Sequence, residues 1–561
     1  MSHSQNQSQQ MQLHIGVFWL VLVLVSLFSR SYLPIDETRY VTVAWNMFLN
    51  HDFLVPYLNG ETYSHKPPLL FWLMNLGWAV LGVNDWWPRL FPSIFALGAV
   101  LMTQKIAARL WPERPQIGYV ASLILLSSGM WAVFTTATMF DMLVAFFTIW
   151  GALGLLIAWQ DEAKKGWTYV ALAIAGGLLA KGPTILLQIL PLAVLAPWWM
   201  GSSDNKPTLR HWYLSIFIAV IVGALILLAW AIPAGIYGGA QYQQEIFWGQ
   251  TAGRMVKSFA HRLPLYWYVP MLPLMLFPWL FALPVWRALG KAVAAIDEQG
   301  VRFCLAWFIP VFVAFSLISG KQPHYLLPII PAFALLVGRG WDDLNHISWL
   351  DKLLPAAVGV AAGAFLLALP SLTHQYHFAI WMANIPVWVG AMLILGSLLL
   401  MWHVSQNKTR YLQHVALLGL LIISMLYVGV IRTAGDACDV RHISYHLKRL
   451  EDQKIPLAHI GKYYGQFNFV GRLLKSPEVV SEGQLKDWFQ SNPQGQVIMY
   501  FDKSSKLKGI KPEYMQLYRG STLVCVLTKS QWQAVSEKSF SGQSLPGESR
   551  VPLSTETGSN E

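Results

Sequence analysis

PPLLFWLMNLGWAVLGV, residues 67–83, is the stretch on which the fold turns. It is apolar enough to enter a membrane, but it sits at the short limit of about 17 residues for a spanning helix and is rich in Trp and Gly. If it crosses the bilayer, every later loop changes sides. If it lies along the surface, the loops carrying Lys105, Arg109 and Arg114, Lys164 and Lys165, Lys206 and Arg210, Arg287, Lys291 and Arg302, Arg339 and Lys352, and Lys408 and Arg410 all fall on one side. Cytoplasmic loops carry the excess of Lys and Arg, so the surface reading is the consistent one. The only flank it leaves without a basic residue is the inner flank of the first span.

Working outward, the apolar runs predict thirteen spans: 13–29, 89–109, 117–134, 139–159, 167–180, 183–200, 212–234, 264–287, 301–319, 323–339, 353–370, 379–402 and 412–431. The expected fold class is thus a polytopic α-helical membrane protein with a transmembrane domain over 13–432 and a first periplasmic loop over 30–88. Composition agrees. The 561 residues are 55% hydrophobic and 12% charged, against about a quarter charged in a soluble domain. Twenty-seven Trp, 21 Tyr and 28 Phe suit interfacial belts. The net charge of +11 reads as topology and attraction to anionic lipid; no soluble basic domain is visible, which argues against nucleic acid. Residues 1–12 are polar and expected as a disordered cytoplasmic tail, followed by an uncleaved first span. After Arg432 the pattern changes. SYHLKRLED and EGQLKDWFQSN read as helices, and PLAHI, QVIMYF and STLVCVL as strands, which predicts a small periplasmic α/β domain over 435–534. The tail, 535–561, is rich in Ser, Gly, Pro and Glu and expected to be disordered. Cys304, Cys438 and Cys525 lack metal spacing; Cys438 and Cys525 share the outer side, where a disulfide can form. There is no P-loop and no G-x-G-x-x-G, so no nucleotide cofactor is expected.

This topology gathers charges on the outer side that outer loops ordinarily avoid: Asp36, Glu37, Arg39, His65, Lys66, Asp141, Lys181, Arg254, Lys257, His261, Arg262, Lys321 and His324, with Tyr325 beside them. Each has a plain explanation. Asp36 can cap the helix that begins at DETRY. Lys66 and Lys181 can snorkel. Asp141 suits a helix N-terminus, and Tyr325 suits an interface. Taken singly these suffice. Taken together they put Lys and Arg at several points of one membrane edge beside two aspartates. Lys and Arg bind phosphate, and an apolar groove beside them suggests a lipid-linked phosphate. A carboxylate there can act as a general base.

The order of segments carries a resemblance. D-E-T-R-Y follows the first span, then come H-K-P-P-L, A-T-M-F-D, G-L-L-A-K-G-P, H-R-L-P-L-Y-W-Y-V-P and G-K-Q-P-H-Y-L-L-P. This series resembles the GT-C glycosyltransferases of the protein O-mannosyltransferase-like superfamily, nearest to the bacterial lipid A aminoarabinose transferases. The resemblance implies inverting transfer of a sugar from a polyprenyl (undecaprenyl) phosphate donor at the periplasmic face of the inner membrane. The acceptor it implies is lipid A or another periplasmic molecule. It implies Asp36 and Asp141 as the catalytic acids and Lys66, Arg262 and Tyr325 as contacts to the donor phosphate. Glu37, Arg39, Lys181, Arg254, Lys321 and His324 complete the expected substrate contacts. A zinc ion is implied where His65 stands in place of the family's Glu, with His261 downstream. A flippase or transporter would place charges nearer the midplane and show inverted repeats. A scaffold would leave the one-sided basic cluster without a role.

Overall fold

The computed structural model describes residues 2–160, 162–201, 208–249, 263–376, 379–402, 407–502, 507, 509–520 and 522–541. Helix α1 (Ser2–Ser29) carries the first span, and the polar opening expected to be disordered is part of this helix from Ser2. Helix α2 (Asp36–Asn50) and a small antiparallel pair, β1 (Tyr57–Leu58) with β2 (Glu61–Thr62), lead to α3 (Leu69–Leu81). This is the segment that decides the topology. It forms 13 helical residues, about 20 Å of rise, against a hydrocarbon core of about 30 Å. Phe71, Met74 and Trp78 are buried, and Asn75 Nδ2 donates to the carbonyl of Ala44 in α2 at 3.2 Å. Helix α3 lies against α2.

Beyond it run α4 (Trp87–Leu110), α5 (Gln116–Ser127), α6 (Gly129–Thr136), α7 (Asp141–Gln160), α8 (Ala163–Lys181), α9 (Thr184–Val194), α10 (Ala196–Trp199) and α11 (Leu209–Gln244). Among the described residues seven helices are long and apolar enough to cross a membrane, or eight when α5 and α6, bent by 69°, count as one. The thirteen expected spans are therefore not thirteen continuous helices. Residues 264–287 break into Leu265–Trp267, Tyr268–Met275, Trp279–Phe281 and the start of Leu283–Ala294. The expected span 323–339 divides into a tight turn, Pro323–Ile329, and a helix, Ile330–Asp342. Proline is the cause: it removes a backbone donor and clashes with the preceding turn. Periodicity alone does not register such breaks. At the α5–α6 break Ser128 is extended, and the N–H of Gly129 leaves the helix to donate to Phe277 O at 2.8 Å.

Helices α7 and α8 pack closely. A Cβ on Gly154 would sit 2.9 Å from the carbonyl of Gly166, and one on Gly166 would sit 2.2 Å from the backbone nitrogen of Ala158. Small residues let backbones approach where apolar burial gives no driving force between helices. This contact sets the ends of α7 and α8 side by side.

The C-terminal region forms a five-stranded mixed sheet, ordered β4 (Glu478–Val480), β3 (Leu457–Ile460), β5 (Gln496–Phe501), β7 (Thr522–Thr528), β6 (Tyr514–Tyr518). Strand β3 is parallel to β4 and β5, while β7 is antiparallel to β5 and β6. The short β4 and the mixed-polarity β6 went unforeseen. A helix, Lys529–Ser541, runs into the segment expected as tail. Cys438 and Cys525 are both free, and Cys525 is buried in β7; no disulfide joins them. The domain rests on α2 and α3. Thr42 Oγ1 donates to Gly465 O at 2.7 Å, Trp45 Nε1 to Leu473 O at 3.0 Å, and Trp78 stacks on Phe469 at 4.9 Å.

Candidate active site

The loops at the domain-bearing end of the bundle converge on Asp141, the first residue of α7, 4% exposed. The α7–α8 contact brings Lys181, the last residue of α8, to it: Lys181 Nζ donates to Asp141 Oδ1 at 2.5 Å. Gly182, at φ +76°, stops α8 directly after the lysine, and Pro183 leads into α9. His324 Nε2 lies 3.7 Å from the same oxygen. Lys181 also sits 4.8 Å from the centre of the Tyr325 ring, a favourable place for a cation. Tyr325 is held by its backbone, whose carbonyl accepts from Gln188 Nε2 of α9 at 2.9 Å. Lys66 packs 5.9 Å from the Phe140 ring, and its charge also reaches Asp141. One buried carboxylate therefore faces three cationic or protonatable side chains drawn from loops far apart in sequence.

Asp36 begins α2, but it does not cap it. The preceding position is Ile35, with no side-chain cap, and Asp36 instead pairs with Arg39 one turn on. Its side chain is half exposed, at 55%. The Arg39 guanidinium lies 5.3 Å from the Tyr40 ring and 5.7 Å from Tyr464 of the sheet domain. Tyr40 packs edge-on against Phe140 at 4.9 Å. A chain of contacts thus links Asp36 to Asp141 through Arg39, Tyr40 and Phe140.

Glu37, adjacent in sequence, has a different environment. It is buried and accepts four hydrogen bonds: from Arg30 at 2.6 and 3.1 Å, from Leu33 N at 2.7 Å and from Thr138 N at 2.6 Å. Burial opposes its ionisation, yet Arg30 and the two backbone donors hold its carboxyl below the usual range. Arg30 also donates to Thr136 O at 2.5 Å. The expected substrate contact is saturated by the protein and clamps the DETRY segment to the Thr135–Asp141 turn. Lys321 is likewise occupied: it is 2% exposed and donates to the carbonyls of Ile318 at 2.6 Å and Leu263 at 3.0 Å. It closes a helix end, where cations are favoured.

Arg254, Lys257, His261 and Arg262 lie outside the described residues. His65 is exposed and packs against Tyr63 at 5.3 Å. Among the described residues no three His, Cys, Asp or Glu stand together as a metal-binding group. Sequence reasoning passed over Arg30 and Gln188. Arg30 had a signal, an arginine directly after a span on the outer side; a lone Gln in an apolar helix had one too.

Residues 65–232 match the family model described as dolichyl-phosphate-mannose-protein mannosyltransferase. The chain is 30% identical over 382 residues to undecaprenyl phosphate-α-4-amino-4-deoxy-L-arabinose arabinosyl transferase 2 of Pseudomonas fluorescens, covering 65% of this chain and 67% of the relative. The chain belongs to this family of membrane glycosyltransferases. The arabinosyl transferase of Pseudomonas paraeruginosa is 30% identical over 378 residues, 66% of each chain; the matches thus span about two thirds of these relatives' length. The crystal structure of apo ArnT from Cupriavidus metallidurans superposes with a TM-score of 0.72 at 19% identity, over 94% of this chain and 99% of that one. Its complex with undecaprenyl phosphate gives 0.70 at 19% identity, over 92% and 98%. The fold is shared along nearly the full chain, including the sheet domain.

Proposed function

We propose that this glycosyltransferase moves 4-amino-4-deoxy-L-arabinose from undecaprenyl phosphate to a phosphate of lipid A, at the periplasmic face of the bacterial inner membrane. The observation that carries the reading is the gathering of Lys181, His324 and Lys66 around the single buried carboxylate of Asp141. Ionisable groups are costly in a membrane and mark a ligand site by default; three that can carry positive charge suit a donor phosphate. In transfer, an acceptor phosphate oxygen attacks the anomeric carbon and forms the new C–O bond. The bond from that carbon to the donor phosphate breaks, and the electron pair leaves on undecaprenyl phosphate. Lys66, Lys181 and protonated His324 stabilise the charge that grows there, and Tyr325 shapes the rim. A phosphate acceptor is already anionic, so Asp36 orients the acceptor or the amino sugar rather than removing a proton.

On this reading the chain crosses thirteen times with its N-terminus in the cytoplasm, and the proline-broken segments supply the crossings that continuous helices do not. Broken helices are tolerated where neighbours satisfy the freed backbone groups. A second reading, transfer to a protein hydroxyl, is favoured by the mannosyltransferase model over residues 65–232; there Asp36 is the general base. The deciding experiment is mass spectrometry of lipid A from a strain lacking its own transferase, complemented with wild type or with Asp36→Asn. Aminoarabinose restored by wild type alone supports the lipid A reading. Lipid A unmodified in all strains, with the protein present in the membrane, overturns it and turns the search to protein glycans. Zinc at His65 and His261 is decided separately, by metal analysis of the purified protein.

A further inference from the structure

A second basic cavity lies at the same end of the bundle and takes no part in the Asp141 cluster. It encloses about 330 Å³ between the exit of α1, the start of α4, the end of the last membrane helix and the sheet domain. That volume is within the range of small-ligand sites. Arg30, Arg89, Arg432 and Arg441 line it, and Asp85 is the one carboxylate in its wall. The carboxylates nearby are committed elsewhere: Glu37 to Arg30, Asp85 to Arg472 at 2.7 Å, and Asp439 to Arg441 at 2.6 Å.

Two arginines form no contact ion pair among the described residues. Arg89 is 7% exposed and donates to the carbonyls of Ser26 at 2.6 Å and Leu27 at 3.3 Å, but among the described residues it meets no carboxylate, and its buried Nε has no hydrogen-bond partner. Arg432 is exposed and forms no ion pair among the described residues. Glu37 and Asp85 reach Arg89 only through their longer-range fields, and each is bonded to another arginine; a buried guanidinium without a contact anion is costly, and it is the strongest sign that a ligand belongs here. Phe28 also lines the cavity, at the end of the first span, and is 82% exposed. The mouth therefore opens at the membrane interface, beside acyl chains.

We infer that this cavity binds the phosphate of a membrane lipid, held by Arg89 and Arg432 with Arg441 at the rim, while the acyl chains run down past Phe28. Planar guanidinium groups bind phosphate oxygens in pairs, and a lipid phosphate arrives at this depth without leaving the bilayer. Free phosphate shares the chemistry but not the apolar mouth. The inference does not depend on which sugar or acceptor the transferase uses.

The test is native mass spectrometry of the full-length protein released from phosphatidylcholine nanodiscs doped with phosphatidylglycerol. Wild type is expected to retain one phosphatidylglycerol. Arg432→Gln alone should weaken retention about fivefold, and Arg432→Gln with Arg441→Gln about thirtyfold, taking roughly 1 kcal/mol for each basic residue near an anionic lipid. Both side chains are exposed, and the single variant removes no ion pair, so folding is preserved; a size-exclusion profile matching wild type verifies this. Equal retention in wild type and Arg432→Gln overturns the inference. A parallel arm measures binding of radiolabelled inorganic phosphate in detergent. Binding of free phosphate without retention of lipid overturns the lipid assignment, whereas lipid retention without phosphate binding supports it. Lipid A in place of phosphatidylglycerol, retained in the same Arg432-dependent way, supports it and names the acceptor as one source.

Discussion

The two ends of the helix bundle are both rich in Lys and Arg, and they treat those charges differently. At the end remote from the sheet domain the buried cations and several of their neighbours are closed into networks. Arg339, 4% exposed, bonds both Glu298 and Asp343; Arg114 reaches Asp343 at 3.3 Å; Arg287 meets Asp351 at 2.5 Å; and Lys408 donates to the carbonyl of Asp342 at 2.7 Å. Trp111 completes the Glu298 carboxylate at 2.9 Å. At the domain-bearing end Lys181, His324 and the field of Lys66 converge on the one carboxylate of Asp141. A closed network spends its charge on the fold. An open one holds charge ready for a ligand. Positive residues at a membrane edge thus carry different meanings, and the difference lies in whether carboxylates match them.

The largest expected effect comes from striking the open end. Asp141→Asn and Lys66→Ala should each lower the rate of sugar transfer by about a hundredfold or more, the scale of losing one electrostatic contact in a preorganised site. The melting temperature of Lys66→Ala should stay close to wild type; a large loss of stability with normal turnover in the folded fraction would erase the contrast. Glu37→Ala tests the exception at that end. It leaves Arg30 buried without its anion, and removing one partner of such a pair costs about 3–5 kcal/mol, read as a fall in thermal stability.

The same pair sets an acid limit. The folded Glu37 carboxyl lies below its ordinary value, so its contribution is fully present above the unfolded carboxyl's pKa of about 4.3 and is lost as pH falls through the folded value. Wild type should therefore lose stability on acidification below about pH 4.3, and Glu37→Gln should flatten that slope. At the closed end, Arg339→Ala should cost about 1–3 kcal/mol, the penalty of leaving buried polar partners unpaired. KM for the donor should not move. The smallest effect belongs to Lys165→Ala. Its partner Glu162, at 2.8 Å, is as exposed as the lysine itself, and such surface pairs contribute little; no change in melting temperature should be measurable.

Much of this contrast was legible in the sequence. Lys66 and Lys181 were singled out because outer loops ordinarily avoid Lys and Arg, and Asp141, His324 and Tyr325 because they crowd the same membrane edge; the structure brings the five together. The strands LAHI and QVIMYF were legible from their apolar runs and flanking turns. Other features were not. Asp36 and Glu37 are neighbours with identical chemistry, and only the tertiary position of Arg30 and the Thr138 N–H makes one half exposed and the other saturated. Lys321 looked like its neighbours in G-K-Q-P-H-Y, but it points at backbone carbonyls. The broken helices were hidden because prolines do not alter apolar content, and the bend at Ser128 depends on the carbonyl of Phe277, far away in sequence.

The docking of the sheet domain onto α2 has a consequence for biosynthesis. Helix α2 is threaded early, yet Gly465, Leu473 and Tyr464, which bond or pack against it, belong to the last hundred or so residues of the chain. The wall beside Asp36 is therefore absent until the sheet domain has been made and has folded onto α2. A chain cut before the sheet domain keeps the helices that precede it but only half of that wall.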